Sequence, residues 1–181
     1  MPTYVAFLRG VNLGPQRSVA MPRLAEIGRE LGYADVWTYV NSGNLVLTTD
    51  KAPATVEREV ARALEQEYGA RVDVMVRSAD ELRAVLETNP FPDASTSRVT
   101  VAFLKGPAPP GARERVAAAA TAAEPFVLAG REVWVHYGDG QAKSKLGAGF
   151  SAVVGVSATT RTVGTLSKIV AKIDARARPS S

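Results

Sequence analysis

The 181-residue chain contains no cysteine and one histidine, His136. The lack of cysteine excludes disulfides, thiolate nucleophiles and zinc–thiolate sites. His136 would need oriented partners for acid–base or metal chemistry, and Asp139 is the sole acid close to it in sequence. No run of about 18 apolar residues is present, so no membrane-spanning segment is expected. The first residues lack the pattern of a secretory signal. We therefore expect a cytoplasmic protein, and the sequence indicates no metal site and no cofactor.

Positive charge is concentrated at one end of the sequence. Residues 141–181 contain seven lysine and arginine residues against one acid, Asp174, whereas residues 1–140 contain 15 basic and 17 acidic residues. The net charges of these two segments are therefore +6 and −2. Such asymmetry favours a surface for anions, phosphates or nucleic acid. The alternative is a solvated final helix followed by a basic tail.

The order of elements in residues 1–77 is typical of a ferredoxin-like unit. Hydrophobic periodicity and turn residues predict a strand, a helix, a hairpin, a second helix and a last strand, at 3–9, 21–31, 34–49, 54–68 and 71–77. This βαββαβ order predicts a four-stranded antiparallel sheet with two helices on one face.

A second, similar pattern begins at residue 98. VAFLRG at 5–10 is matched by VAFLKG at 101–106, and a breaker loop, a helix and a hairpin follow in each case. We therefore predict an internal duplication. The second pattern then diverges, because a glycine-rich loop and a short helix occupy 138–155 and an amphipathic helix is predicted at 160–176. No eighth strand is predicted.

The predicted fold class is therefore α+β, with two ferredoxin-like halves and antiparallel sheets, the second half modified at its C-terminal end by extra helices. The halves are expected at 1–77 and 98–181. Residues 78–97 are predicted to be a helical connector, because Ser78 and Glu81 have the spacing of a capping box. Since this connector is helical rather than a flexible linker, we expect one compact body.

Six short motifs follow one another along nearly the whole chain. They are AFLRGVNLG at 6–14, MPRL at 21–24, TYVNSGNLVL at 38–47, NPF at 89–91, SKL at 144–146 and ATTR at 158–161. In this order they resemble the bacterial domain of unknown function 1697 family. The resemblance supports the fold prediction and implies no activity, because that family is uncharacterised. Family members have Asn-Trp-Asn after ATTR, whereas this chain has Thr162, Val163 and Gly164.

The loop RGVNLGPQR at 9–17 is one candidate binding site. Its glycines would let the backbone approach a ligand, and Arg9 and Arg17 could bind a phosphate or carboxylate beside Asn12. Its spacing fits neither a dinucleotide-binding fingerprint nor a P-loop. The alternative is a tight turn in which Asn12 bonds its own backbone. NSGN at 41–44 is predicted to be the hairpin turn.

The segments GDGQAKSK at 138–145 and TTR at 159–161 form the main candidate site. TTR is expected to open the last helix, whose exposed N–H groups would combine with nearby basic residues to bind phosphate. The predicted ligand-binding residues are Lys143, Lys145, Thr159, Thr160 and Arg161. The alternative is that a threonine caps the helix and the lysines are solvated.

Three functions are consistent with these features, and the sequence identifies no catalytic residue. The leading hypothesis is a binding protein for an anionic ligand, either a nucleotide or nucleic acid phosphate. The second is an enzyme acting on a phosphorylated small molecule at the interface of the halves. The third is a non-enzymatic interaction module that forms a homodimer. Whether the loops at 9–17, 141–146 and 158–162 converge is left open by the sequence.

Overall fold

The computed structural model describes residues 1–13 and 18–178. In that part of the chain there are eight strands, six α-helices and a short 3₁₀ helix at Gln141–Lys143. The strands are β1 (Thr3–Leu8), β2 (Ala34–Thr38), β3 (Asn44–Thr48), β4 (Val74–Ser78), β5 (Val99–Leu104), β6 (Phe126–Ala129), β7 (Glu132–His136) and β8 (Ala158–Thr162). The helices are α1 (Met21–Glu30), α2 (Pro53–Tyr68), α3 (Ala79–Glu87), α4 (Ala112–Ala119), α5 (Lys145–Val154) and α6 (Val163–Ala177).

The chain divides into two compact units, Met1–Leu82 and Arg83–Ser181. The sheet of the first unit has the strand order β2-β3-β1-β4, and every neighbouring pair is antiparallel. With α1 after β1 and α2 after β3, this is the predicted ferredoxin-like order. The boundary between the units falls within α3, and the limits 78–97 of the helical connector stay a prediction.

The core of the first unit lies between the sheet and its two helices. Alternation along β1 directs Tyr4, Ala6 and Leu8 towards the helices, where they join residues such as Leu24 of α1 and Leu64 of α2. Leu8, Leu24 and Leu64 are fully buried. Burying a side chain of this size contributes about 1.5–3 kcal/mol to the free energy of unfolding. The buried Leu8 therefore holds the end of β1 in place, directly before the loop that contains Arg9 and Asn12.

The second unit has the same sheet topology, with the order β6-β7-β5-β8 and antiparallel pairing throughout. The prediction that this half lacks an eighth strand is wrong, because Ala158–Thr162 pairs with β5. Threonine is β-branched and favours strands as readily as helix caps. The last helix begins only at Val163, after Thr162, so the expectation that TTR opens that helix is also wrong.

The C-terminal part of the second unit holds the helices that the sequence predicted. α5 lies between β7 and β8, as α2 lies between β3 and β4, so α6 and the 3₁₀ helix are the additions to the basic unit. α5 is kinked at Gly149, whose φ and ψ of −119° and 22° are not helical. The predicted fold class, α+β with two ferredoxin-like halves, is confirmed.

The two similar runs occupy equivalent central strands. Val5 of β1 pairs with Arg77, and Val101 of β5 pairs with Arg161, in the last strand of each sheet. The backbone N–H groups at the end of each run also donate to equivalent carbonyls. The Leu8 N–H donates to the Gly43 carbonyl, as the Leu104 N–H donates to the Arg131 carbonyl. The Arg9 N–H donates to the Asp73 carbonyl, as the Lys105 N–H donates to the Ser157 carbonyl. The backbones of Arg9 and Lys105 therefore have the same structural role.

Candidate functional site

Asn12 joins two loops at one end of the first unit. Its Nδ2 donates to the carbonyls of Val19, at 3.0 Å, and Asn41, at 2.7 Å, while its Oδ1 accepts from the Val19 N–H at 2.8 Å. Its φ of 56° lies in the left-handed region, which asparagine tolerates better than most residues. The β1–α1 loop thus contacts the β2–β3 turn, but through an amide that the fold itself uses. Arg17 lies outside the described residues.

The segment NSGN forms the predicted turn between β2 and β3. Asn44 is fully buried and its Nδ2 donates to the Tyr39 carbonyl at 2.8 Å and to Ser42 Oγ at 3.0 Å. Gly43 has a φ of 80°, and a Cβ there would lie 2.7 Å from Val11 and 2.8 Å from Leu8. These residue types are therefore required by the turn.

Arg9 extends from the end of β1 with its side chain 45% exposed. Its Nη1 lies 3.6 Å from Asp73 Oδ2, and Arg71 Nε lies 3.6 Å from the other oxygen of the same carboxylate. An anion at Arg9 would therefore approach a carboxylate as well. This makes Arg9 a weaker candidate than a cation without an acidic neighbour.

The residues predicted on β8 do not share one surface. Thr160 pairs with Ala102, which belongs to the core beneath the helices, so Thr160 lies on the helix side of the sheet. Because side chains alternate along a strand, Thr159 and Arg161 lie on the opposite side. The structure thus separates Thr160 from the other two, and the predicted five residues do not form a single cluster.

Arg161 is 7% exposed, and its donors are used inside the protein. Its Nη1 donates to Thr159 Oγ1 and to the Thr160 carbonyl, both at 2.8 Å. Burial lowers the pKa of Arg161 to about 10, so the guanidinium remains charged at neutral pH. Arg77, its equivalent in the first unit, is also buried and donates to the preceding carbonyl, of Val76, at 3.0 Å. Arg161 therefore shares a structural arrangement with Arg77.

Lys143 and Lys145 are exposed and flank Ser144, the N-cap of α5. Ser144 Oγ accepts from the N–H groups of Leu146, at 3.1 Å, and Gly147, at 3.2 Å. The first N–H groups of this helix therefore already have an acceptor. Thr162 Oγ1 likewise accepts from the N–H of Thr165 at the start of α6. These caps weaken the expected phosphate site at a helix terminus, whereas the two lysines keep their exposed charges.

Arg98 brings a third cation to the same end of the second unit. Arg98 is exposed, and its Nη1 donates to the Gly138 carbonyl at 2.9 Å. The N–H of Lys143 in turn donates to the Gly140 carbonyl at 3.2 Å. We call Arg98, Lys143 and Lys145 the basic rim. Arg98 is not among the residues predicted from the sequence, where its only signal is its place directly before a strand.

The basic rim is connected to β8 through Gln141. Gln141 Nε2 lies 3.4 Å from Thr160 Oγ1, and a Cβ at Gly147 would lie 2.6 Å from the Gln141 carbonyl. The segment 141–145 is therefore held against the helix side of the sheet. Of the predicted residues, Lys143, Lys145 and Thr160 are brought to one region.

Three buried polar side chains of the second unit, Thr100, Glu124 and Tyr137, were not predicted as a site. We call them the polar row. Their exposed fractions are 2%, 7% and 1%. The hydroxyls of Thr100 and Tyr137 form no hydrogen bond of good geometry in the described part of the chain, although they lie close enough for Thr100 to lower the pKa of Tyr137. No local motif marks these residues, because they come from three separate segments.

The pKa values of Glu124 and Tyr137 are both shifted by burial and by neighbouring groups. Burial alone would raise the pKa of Glu124, but the Ser144 hydroxyl and the N–H and hydroxyl of Thr121 lower it on balance. Burial, and then the nearby charge of Glu124, raise the pKa of Tyr137 to about 12, and the Thr100 hydroxyl partly offsets this rise. Glu124 is therefore ionised, and Tyr137 neutral, at neutral pH.

Other chemistry is sparse in residues 1–13 and 18–178. No group of three or more histidine, cysteine, aspartate and glutamate side chains there could hold a metal ion. His136 lies against Phe91, with ring centroids 5.9 Å apart. None of the helices in these residues is long and apolar enough to cross a membrane.

Comparison with known proteins supports the fold and supplies no activity. No curated protein matches the chain. The solved structure of the conserved bacterial protein SP0830 from Streptococcus pneumoniae is similar, with a TM-score of 0.74 and 20% identity, over 96% of this chain and 99% of that one. At this identity the likeness shows the fold alone. Residues 1–134 match the family described as "Protein of unknown function (DUF1697)". As the motifs had indicated, the chain belongs to the DUF1697 family.

Proposed function

We propose that this protein binds an anionic, phosphate-bearing ligand, a nucleotide or a nucleic acid, at the basic rim of its second unit. One observation carries the proposal. Arg98, Lys143 and Lys145 are exposed, and none of them forms an ion pair with a described residue. By contrast, Lys51 is neutralised by Glu59 and Arg83 by Asp174.

The surroundings of the rim suit a phosphate group. Gly140 lets the loop backbone lie close to Arg98, because a Cβ there would be 3.2 Å from Arg98 Nη1. Thr160 and Gln141 offer a hydroxyl and an amide next to the lysines. Lysine binds phosphate as a point charge, while Arg98 could add a bidentate contact by releasing the Gly138 carbonyl. The site we propose is therefore Lys143, Lys145, Arg98 and Thr160.

The remaining predicted residues have other parts in this proposal. Thr159 and Arg161 stabilise β8 beneath the site, because they are buried on the other side of the sheet. Arg9 and Asn12, together with Arg17, stay a secondary prediction in the first unit. The predictions of an enzyme acting on a phosphorylated small molecule and of a homodimer also stay open.

The test is a titration of fluorescent ATP and of a fluorescent single-stranded oligonucleotide against the full chain. We expect wild-type protein to bind at least one probe, and the double variant Lys143→Ala, Lys145→Ala to bind it at least tenfold more weakly. The matched control is Lys168→Ala, Lys172→Ala, which removes the same charge from exposed positions of α6. Absence of binding by the wild type, or equal loss in both double variants, would overturn the proposal.

A further inference from the structure

The polar row crosses the helix side of the second unit's sheet at the end where β5 begins. Thr100 pairs with Val135, and Tyr137 lies two residues beyond Val135 in the same core cluster. The N–H of Gly138 donates to the Ala123 carbonyl, which brings the segment containing Glu124 beside Tyr137. Three oxygen-bearing side chains from three segments are thus collected in one buried place.

The two hydroxyls of the polar row, of Thr100 and Tyr137, lack well-formed hydrogen bonds with the described residues. Leaving a buried hydroxyl without a hydrogen bond is costly, and such groups in proteins are normally satisfied by protein atoms, an ordered water or an ion. Both Thr100 Oγ1 and Tyr137 Oη are in this position, although they are nearly inaccessible. A bound water molecule or ion that contacts both hydroxyls would remove this free-energy cost.

The carboxylate of Glu124 favours a positively charged ion at this place. One of its oxygens, Oε2, accepts from the Thr121 N–H at 2.9 Å, and the Ser144 and Thr121 hydroxyls also favour the ionised form, but the carboxylate forms no ion pair with a described residue. A carboxylate that is 7% exposed is stabilised when a cation is bound to it. A water molecule would satisfy the hydroxyls but would not neutralise the carboxylate.

We propose that Glu124, Tyr137 and Thr100 bind a monovalent cation, K⁺ or Na⁺. The donors are all oxygen atoms, which suits a hard cation, and they carry a single negative charge. Zinc would prefer the nitrogen and sulfur donors that the row lacks. Calcium is generally bound by more oxygen ligands, including several carboxylates, than the row supplies. The proposal does not depend on the anionic ligand at the basic rim.

The first unit shows that the fold does not require a polar row. Tyr4 of β1 occupies the position that Thr100 occupies in β5. Tyr4 pairs with Leu47 of β3 and Ser78 of β4. Thr100 pairs with Val135 of β7 and Thr162 of β8. Tyr4 packs into an apolar core cluster, and its hydroxyl is not orphaned in the described structure. Buried polar groups that the fold does not demand are the positions where a binding role is expected.

The test is thermal unfolding of the full chain in KCl, NaCl and choline chloride at equal ionic strength. Choline is too large for a buried site, so its salt controls for screening. We expect the melting temperature to be about 3 °C higher in KCl or NaCl than in choline chloride, as for an ion present at several times its Kd. Glu124→Gln should abolish this difference, whereas Glu114→Gln, on an exposed acid of α4, should retain it.

Two outcomes would overturn the cation site. One is an equal melting temperature of the wild type in all three salts, which would mean that the hydroxyls hold water only. The other is a difference that persists in Glu124→Gln. If that variant does not fold, Tyr137→Phe replaces it and should also reduce the difference. As a direct measurement, crystals grown with Tl⁺ should show an anomalous peak at the polar row, and its absence would contradict the proposal.

Discussion

Asn12 and Arg161 were predicted to bind a ligand, but in the structure their side chains form hydrogen bonds within the protein. The three hydrogen bonds of Asn12 close a loop and join it to the neighbouring turn. Arg161 bonds its own strand from a buried position. Lys143 and Lys145 differ from them because their ammonium groups remain exposed. Exposure, which sequence alone does not give, therefore separates structural from candidate functional polar residues.

We predict that Asn12→Ala destabilises the protein by about 2–3 kcal/mol. The variant loses three hydrogen bonds, each contributing about 0.5–1.5 kcal/mol, and places alanine at a φ of 56°. Asn12→Gly is the matched control, because it loses the same three hydrogen bonds but tolerates the left-handed region and so separates the strain from the bonds. Urea unfolding measures both. A loss below about 0.5 kcal/mol in Asn12→Ala would refute this role.

Glu59 gives a prediction about pH. Its carboxylate accepts from Lys51 Nζ at 2.8 Å and from the Tyr33 hydroxyl at 2.6 Å, and these bonds, the one from Lys51 first, lower its pKa. A carboxylate whose pKa is lower in the folded state contributes stability above its unfolded pKa of about 4.3, and this is lost as the pH falls through the folded pKa.

Glu59→Gln should therefore be less stable than wild type at pH 7, by up to about 1 kcal/mol because the pair is partly exposed. This difference should shrink as the pH falls from about 5 to below about 4. Denaturant unfolding at a series of pH values measures it, with Glu65→Gln on the same helix as a control. A difference that stays constant with pH would show that the ionised carboxylate is not responsible.

At the scale of the element, β8 shows where sequence patterns fail. Alternation predicted the last strand of the first unit, because three valines recur at 72, 74 and 76. ATTRT has no apolar alternation, since Thr159 and Arg161 are buried on one side and Thr160 lies on the other. Its strand conformation depends on pairing with β5, more than fifty residues earlier in the chain. The threonines are compatible with either a helix cap or a strand, and the pairing with β5 decides between them.

The predicted capping box at the start of α3 is confirmed. The Ser78 N–H donates to Glu81 Oε2 at 2.7 Å, and the Glu81 N–H donates to Ser78 Oγ at 3.1 Å. We predict that Ser78→Ala lowers the free energy of unfolding by about 1 kcal/mol, because a helix N–H loses its acceptor. Ser78→Thr, which retains the hydroxyl, should lose much less. Equal losses in the two variants, measured by urea unfolding, would contradict the cap.

For the whole molecule, the sequence predicted the fold class and the position of the charge, but not how the site is assembled. The fold class follows from local periodicity, which specifies the element order of the first unit and, except for β8, of the second. The basic rim and the polar row combine residues from separate segments, among them Arg98, Glu124 and Lys143. Such juxtapositions depend on strand pairing between distant residues, which no local motif records.

The salt dependence of oligonucleotide binding tests the basic rim most directly. Each lysine that contacts a single-stranded phosphate contributes about 0.7 to the slope of log K against log salt concentration. The account predicts a falling affinity for the wild type and a slope about 1.4 shallower in Lys143→Ala, Lys145→Ala, with Lys168→Ala, Lys172→Ala unchanged. A slope that is the same in all three proteins would contradict the assignment of anion binding to the basic rim.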